Sequence, residues 1–408
     1  MISDPTLLVN SEMKIGIYLG SYSPECGGGY VFEREIFREI LQYRANAYNW
    51  LLVFPVDWYD ETLAEDATAV GIPHIKLQQP ECAFRDRVKL WRNRITASGN
   101  FYNWYENAIT TQLHSADIDV MWYVGWGHLT SEIPSFVNIW DLQHRLQPYF
   151  PEVSAGGEWA RREERYSIAL KRAAGVVIPN ERAAEELKRF YGIADERIHL
   201  LPHPTPSHAL TDLEPVDVSK WVQPDSINLL YPAQFWPHKN HYNALSAIRI
   251  LKEENLHVRL ILSGGSTEKH SRILKFVQDM KLEDCIVFAG YVRMEELHSL
   301  YKQVTALLFP SLFGPENLPP LEAFALGCPV IASRVEGSEY QLKEAALLFD
   351  PLDPADMADK IKQVSSNKGL RDSLIEKGKS RASYTSADFV TDMCLAFKRF
   401  SNLARNWS

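Results

Sequence analysis

The chain is poor in the features that assign a function at a glance. Its five cysteines, Cys26, Cys82, Cys285, Cys328 and Cys394, are odd in number and widely scattered. That pattern excludes the paired spacing of a metal knuckle and argues against a disulfide framework, so they are expected to be reduced packing residues in the cytoplasm. Basic charge is also short, since 43 Lys and Arg against 52 Asp and Glu leave a net charge of −9 with no long basic tract. Nucleic acid is therefore not expected as a partner. No apolar run approaches the ~18 residues that cross a bilayer, and no leader pattern precedes the first apolar run. Asp117-Ile118-Asp119 resembles a metal-binding Asp-x-Asp only superficially, because it precedes an apolar run instead of ending one, and no metal is expected. The glycines at 27–29 lack the G-x-G-x-x-G spacing of a dinucleotide fingerprint.

What is present is an alternation of strand-like and helix-like segments. Apolar runs at 13–19, 50–54, 120–124, 136–140 and 175–179 are separated by helical periodicities such as 31–44, 159–173 and 182–190. A second series follows at 228–231, 258–263, 285–288, 306–309, 329–332 and 346–349. This alternation predicts an α/β fold with two Rossmann-like, doubly wound parallel sheets. A length of 408 residues and an apolar fraction of 46% suffice for two cores. Pro202-His203-Pro204-Thr205-Pro206 and the polar residues up to Pro215 have linker composition. The expected division is a first domain over 1–204, a linker over 205–220, a second domain over 221–385 and a final helix over 386–408.

Parallel sheets bind ligands beyond the C-terminal ends of their strands, so the loops at those ends hold the candidate residues. Gly27, Gly28 and Gly29 stand at a predicted helix start, where backbone amides can meet an anion; a plain flexible turn is the alternative. Asp141 and His144 follow the strand at 136–140. In the second domain, Lys239 lies in the loop before a helix starting near Tyr242. Its charge would attract an anion ~4 Å away by about 4 kcal/mol at an effective dielectric of ~20. Gly264 sits at a strand exit. Glu322 is expected in the first turn of a helix over 321–326, as a ligand for a ribose diol or as a capping acid. Residues 84–95, FRDRVKLWRNRI, read as a basic amphipathic helix with a Trp, suited to an anionic membrane surface or a lipid-linked acceptor, or else packed on the sheet with a solvated basic face.

The stretch 310–333, PSLFGPENLPPLEAFALGCPVIAS, resembles the signature segment of the retaining nucleotide-sugar glycosyltransferases of family 4, the group 1 type with GT-B architecture. The family pattern has two glutamates eight positions apart, and Glu322 fits the second, with Ala323, Gly327 and Pro329 in register. The first position is Gly314, and the nearest carboxylate is Glu316. The resemblance implies that Lys239 grips the donor diphosphate, with Gln234 standing where an Arg is usual. It implies a base-binding loop at Tyr291 and Val292, sugar contacts from Glu316 and Asn317, and phosphate contacts from the amides near Asn317 and Leu318. His144 and Asp141 take the place of a His-Asp pair near the transferred sugar, and the glycine-rich loop faces the diphosphate and the acceptor. The family's final helix crosses back onto the first domain.

The activity so implied is metal-independent, retaining transfer of a hexose, with mannose favoured. The donor would be GDP- or UDP-linked and the acceptor a carbohydrate or lipid-linked glycan in polysaccharide or lipopolysaccharide assembly. The expected location is cytoplasmic, or peripheral on the inner face of the plasma membrane through 84–95. The alternatives are a catalytically inactive sugar-nucleotide-binding partner subunit, a UDP-hexose-dependent transferase, and, less favoured, a phosphorylase or epimerase on the same plan.

Overall fold

The computed structural model describes residues 13–20, 27–44, 47–80, 99–125, 127–265 and 268–404. The basic amphipathic segment at 84–95, Cys26 and Cys82 lie outside them. Thirteen strands form two separate all-parallel sheets among these residues. The first contains β1 (Lys14–Tyr18), β2 (Asn49–Phe54), β3 (His74–Lys76), β4 (Val120–Tyr123), β5 (Ser135–Asn138), β6 (Gly175–Ile178) and β7 (Ile198–Leu200), in the order β3-β2-β1-β4-β5-β6-β7. The second contains β8 (Ile227–Pro232), β9 (Val258–Ser263), β10 (Ile286–Gly290), β11 (Ala306–Phe309), β12 (Val330–Ser333) and β13 (Ala346–Phe349), in the order β10-β9-β8-β11-β12-β13.

The central strands are apolar on both sides because helices cover both faces, as parallel sheets require. Thus β4 and β5 are buried at every position. The first sheet has a separate apolar core on each face, and the second domain has one continuous core. The predicted strand series is reproduced, with two additions. Strands β3 and β7 are three-residue edge strands without a buried residue, so they carry no apolar run to read.

Two chain crossings join the domains. Thr205, in the outgoing crossing, bridges in parallel to Thr385 in the returning one, and its N–H donates to Tyr384 O at 2.9 Å. The stretch read as a linker is partly folded onto the second domain, where Val218 is buried in the core and Val216 packs beside it. The returning chain forms the helix Ser386–Ala404. Its Phe389, Val390, Met393, Cys394 and Phe397 are buried in the core of the first domain.

Each sheet reverses its strand order once, between β1 and β4 in the first and between β8 and β11 in the second. The loops leaving those strands splay apart there and open a crevice. The candidate site is built from these loops.

Candidate functional site

The loop leaving β8 is held rigidly. Pro237–Lys239 makes one 3-10 turn, and Asn240 follows in the left-handed region at φ 59°. From there the Asn240 amide donates to Pro310 O at 3.0 Å and to Pro351 O at 2.8 Å, which ties the loop to the exits of β11 and β13. Tyr231 from β8 donates its hydroxyl to Lys239 O at 2.5 Å. The Lys239 ammonium lies 5.3 Å from the centre of the Phe309 ring and makes no hydrogen bond or ion pair with any described residue. Burial pushes its pKa down to about 8, against the pull of Asp141 and Glu152 from the first domain.

Nearby, Gly264 is a glycine by necessity, since a Cβ there would stand 2.2 Å from Ala233 O. Gly264 N–H donates to Gly290 O at 2.9 Å. A Cβ on Gly265 would lie 3.3 Å from Gln234 Oε1, so the Gln234 amide rests at this same strand exit. Tyr291 projects outward with 77% of its surface exposed, while Val292 is buried in the core.

Across the crevice, Gly314 has φ 126°, and the Asn317 amide fills the space beside it and donates to Gly314 O at 3.0 Å. A Cβ at position 314 would meet the movable Asn317 amide at 2.5 Å, and the φ of 126° strains any residue but glycine, so the glutamate of the family pattern is disfavoured there by backbone conformation. Glu316 turns to the interdomain crossing, where its Oε2 accepts from His203 N–H at 2.6 Å. Burial pushes this carboxyl up to about 8, offset in part by the His203 N–H, Arg381 and the Asn180 amide, and reinforced by Glu181.

The helix expected over 321–326 begins earlier, at Leu318, because Pro319 and Pro320 fit the first turn of a helix. Glu322 is consequently its fifth residue and not part of its first turn. Its carboxylate is buried, accepts from Tyr301 Oη at 2.8 Å, and lies 3.5 Å from His208 Nε2. Burial alone would lower the His208 pKa, but Glu322 and Glu35 together raise it. The two prolines lack an N–H, and Asn317 N–H is already given to Gln341 Oε1 at 3.0 Å. Of the first three helical positions, Leu318 alone therefore carries an N–H that could meet an anion.

On the first domain, Gly27 at φ 77° turns the chain into the helix Gly28–Glu39, which places Gly28 and Gly29 in its first turn. A Cβ on Gly28 would stand 3.7 Å from Leu318 Cδ1, so the two helix starts face each other across the crevice. Asp141 Oδ1 accepts from Gln143 N–H at 2.9 Å and from Arg162 at 3.0 Å. His144 corrects the sequence expectation. It is fully buried inside the first domain, with Nε2 2.7 Å from Glu163 Oε1 and 3.1 Å from Tyr191 Oη. Burial lowers its pKa, so a neutral ring braces the domain instead of reaching into the crevice.

Residues 218–381 match the family model described as glycosyl transferases group 1. They form a group 1 glycosyl transferase domain. The O-antigen chain mannosyltransferase RfbU of Salmonella typhimurium is 25% identical over 199 residues, which cover 48% of this chain and 52% of that protein. The chain spans about half the length of the curated relatives it matches. Among solved structures, sucrose-phosphate synthase from Thermosynechococcus elongatus gives a TM-score of 0.71 at 18% identity, covering 96% of this chain and 100% of that one. HepE from Anabaena, solved with UDP and glucose, gives 0.68 at 15% identity over 95% and 99% of the two chains. At such identities the likeness establishes the fold, which is GT-B.

Seen as a glycosyl transferase domain, the 218–381 unit depends on first-domain residues that sequence reasoning passed over. Glu152 Oε1 accepts from both the backbone N–H and the Nδ1 of His238, at 3.0 and 2.5 Å, next to Lys239. Burial keeps His238 neutral and would raise Glu152, but the His238 bonds hold the carboxyl below its usual range, so the pair is a carboxylate accepting a hydrogen bond from the Nδ1–H of a neutral imidazole. Glu33, at the β1 exit, accepts from Gly20 N–H at 2.7 Å and occupies the space left by the missing side chain of Gly125. Burial pushes Glu33 up to about 8. Neither residue announces itself locally, because Glu152 meets a partner 86 residues away and Glu33 reads as an ordinary helix acid.

Proposed function

We propose that the chain transfers a hexose, with mannose favoured, from a nucleotide diphosphate sugar to a carbohydrate or lipid-linked glycan acceptor in polysaccharide or lipopolysaccharide assembly. The single observation that carries this reading is the Lys239 ammonium, held 5.3 Å from the Phe309 ring, partly desolvated and without a hydrogen-bond or ion-pair partner among the described residues, at the switch point of a group 1 domain. A cation held in that state has its opposite charge still to come, and a departing diphosphate supplies it. Gln234 and the Leu318 N–H would add neutral donors, each worth roughly 0.5–1.5 kcal/mol.

In this reading Glu322, fixed by Tyr301, accepts ribose hydroxyls, and the 290–292 loop lies against the base. Asn317, in the space left by Gly314, meets the sugar, and Glu316 adjoins it as a carboxyl that is largely protonated near neutral pH. Transfer proceeds with retention, the departing phosphate taking the proton of the attacking hydroxyl on the same face, and needs no metal. The name of the Salmonella relative supports mannose, and hence GDP-mannose; the UDP and glucose of the HepE structure support a UDP-hexose as the next donor to test.

A thermal-shift screen of the purified chain against nucleotide sugars tests the reading. A donor present at 100 times its Kd should add about 2.7 kcal/mol of stability. The Lys239→Met variant should lose most of that shift and at least a hundredfold in transfer rate. No stabilisation by any nucleotide sugar would sink the proposal. The engagement of Glu316 with His203 N–H at the interdomain crossing favours one second reading, an inactive sugar-nucleotide-binding subunit. Donor turnover by the purified chain alone would remove it.

A further inference from the structure

A cavity of about 560 Å³ opens between the domains beside the Lys239 loop. Gln147, Tyr149 and Phe150 wall it from the first domain, and Arg334, Asp350 and Leu352 from the exits of β12 and β13. We propose that this groove binds the non-reacting sugar units of an oligosaccharide acceptor, an inference that rests on the transferase reading given above.

Its shape is fixed by bonds within and between the two domains. Gln147 Nε2 donates to Leu312 O at 3.0 Å, and Leu312 N–H donates to His238 O at 2.7 Å. The opposite wall is tied to the same loop, because Asn240 and Asn243 both donate to Pro351 O, at 2.8 and 3.1 Å. The groove and the loop carrying Lys239 are thus one hydrogen-bonded unit, and a chain lying in the groove would have its end close to the transferred sugar.

The lining chemistry selects the ligand class. Tyr149 and Leu352 are 72% and 70% exposed, which is unusual for large apolar residues on a cavity wall and leaves their faces available to a ligand. Tyr149 packs against Phe150 with ring centres 5.0 Å apart, so the exposed ring is held as a platform. Between these faces stand one guanidinium and one carboxylate. Arg334 makes no ion pair with any described residue, and Asp350 uses Oδ1 for the N–H of Leu352 at 2.9 Å. A wall with one charge of each sign has no net attraction for a second nucleotide or another polyanion. Apolar faces alternating with planar donors and acceptors suit a neutral polyhydroxylated chain, whose C–H faces lie on the rings while its hydroxyls bridge Arg334 and Asp350.

The test uses the full chain and two probes, mannotriose and maltotriose, measured beside GDP-mannose and UDP-glucose by calorimetry. At least one trisaccharide should bind, with the matching monosaccharide binding at least tenfold more weakly. Tyr149→Ala and Arg334→Ala should each weaken the trisaccharide about tenfold and leave nucleotide-sugar affinity unchanged. Equal trisaccharide affinity in wild type and both variants, or no trisaccharide binding at all, overturns the groove. The transferase reading fails separately, through absent nucleotide-sugar binding, and that arm is read in the same experiment. Weakening of nucleotide-sugar binding in parallel with the trisaccharide would also count against the groove, because it would place these residues in donor binding.

Discussion

Lys239 carries its charge at a loss until an anion arrives. A folded-state pKa of about 8, against an ordinary 10.5, means that the charged form is disfavoured in the fold. At 1.36 kcal/mol per unit the penalty is of order 3 kcal/mol below pH 8, and it fades as pH rises from 8 to 10.5. Lys239→Met should therefore melt higher than wild type at pH 7 without ligand, with the gap closing toward pH 10.5, while losing donor stabilisation. The gain in stability with loss of function is the usual signature of a strained site. Glu316 behaves oppositely with pH. Its raised pKa favours the protonated fold, so stability is complete below pH 4.5 and declines as pH climbs to about 8. Relative to Glu316→Gln, wild type should lose roughly 2–4 kcal/mol across that window, read as urea midpoints at the two ends. Sequence located Lys239 correctly at a strand exit, because loop and lysine lie within a few residues. It could not see that Glu316 meets His203, 113 residues away, or that His144 would find Glu163 and turn inward.

Among the elements, the second sheet was the more legible. Its strands are short continuous apolar runs bounded by Gly and Pro, whereas β3 and β7 of the first sheet are half-polar edges that look like loops. The helix Leu318–Ala325 is legible in the sequence, but it starts three residues before the expected 321, since Pro319 and Pro320 open a helix as readily as they precede one. Glu322 moved with that boundary from a first-turn acid to a buried carboxylate anchored by Tyr301. Tyr301→Phe should cost about 1–3 kcal/mol and weaken nucleotide-sugar binding several-fold, since it leaves a buried oxygen short of a donor. At the β9 exit the constraint is steric. Gly264→Ala would press a methyl against Ala233 O, a backbone atom with little freedom to yield. A loss of 2 kcal/mol or more in chemical denaturation is expected, larger than an ordinary surface substitution of about 0.5.

On the scale of the molecule, the two halves are joined by a few specific bonds as well as by chain. Glu152 holds His238, Gln147 holds Leu312, Glu316 holds His203, and Arg182 reaches Glu336 at 2.6 Å. Composition predicted two domains and a crossing near 202–206, but no composition predicts which polar groups meet across a crevice. Glu152→Ala should loosen the closed arrangement, seen as an increase in radius of gyration by small-angle scattering, with both domains retaining their far-UV dichroism. An unchanged radius would mean that the remaining bonds suffice.

The final helix has a consequence for how the molecule comes into being. Phe397 inserts among Tyr48, Trp50, Trp122 and Phe136, with ring centres between 5.0 and 6.2 Å apart, and Tyr48 donates its hydroxyl to Cys394 O at 2.8 Å. Those partners are 346 residues apart along the chain. The first domain thus waits for the helix Ser386–Ala404 to be synthesised before its core can close, while the second domain, made earlier than that helix, can already fold. During translation an apolar surface around two tryptophans stays open, which makes the nascent first domain a natural client for a chaperone.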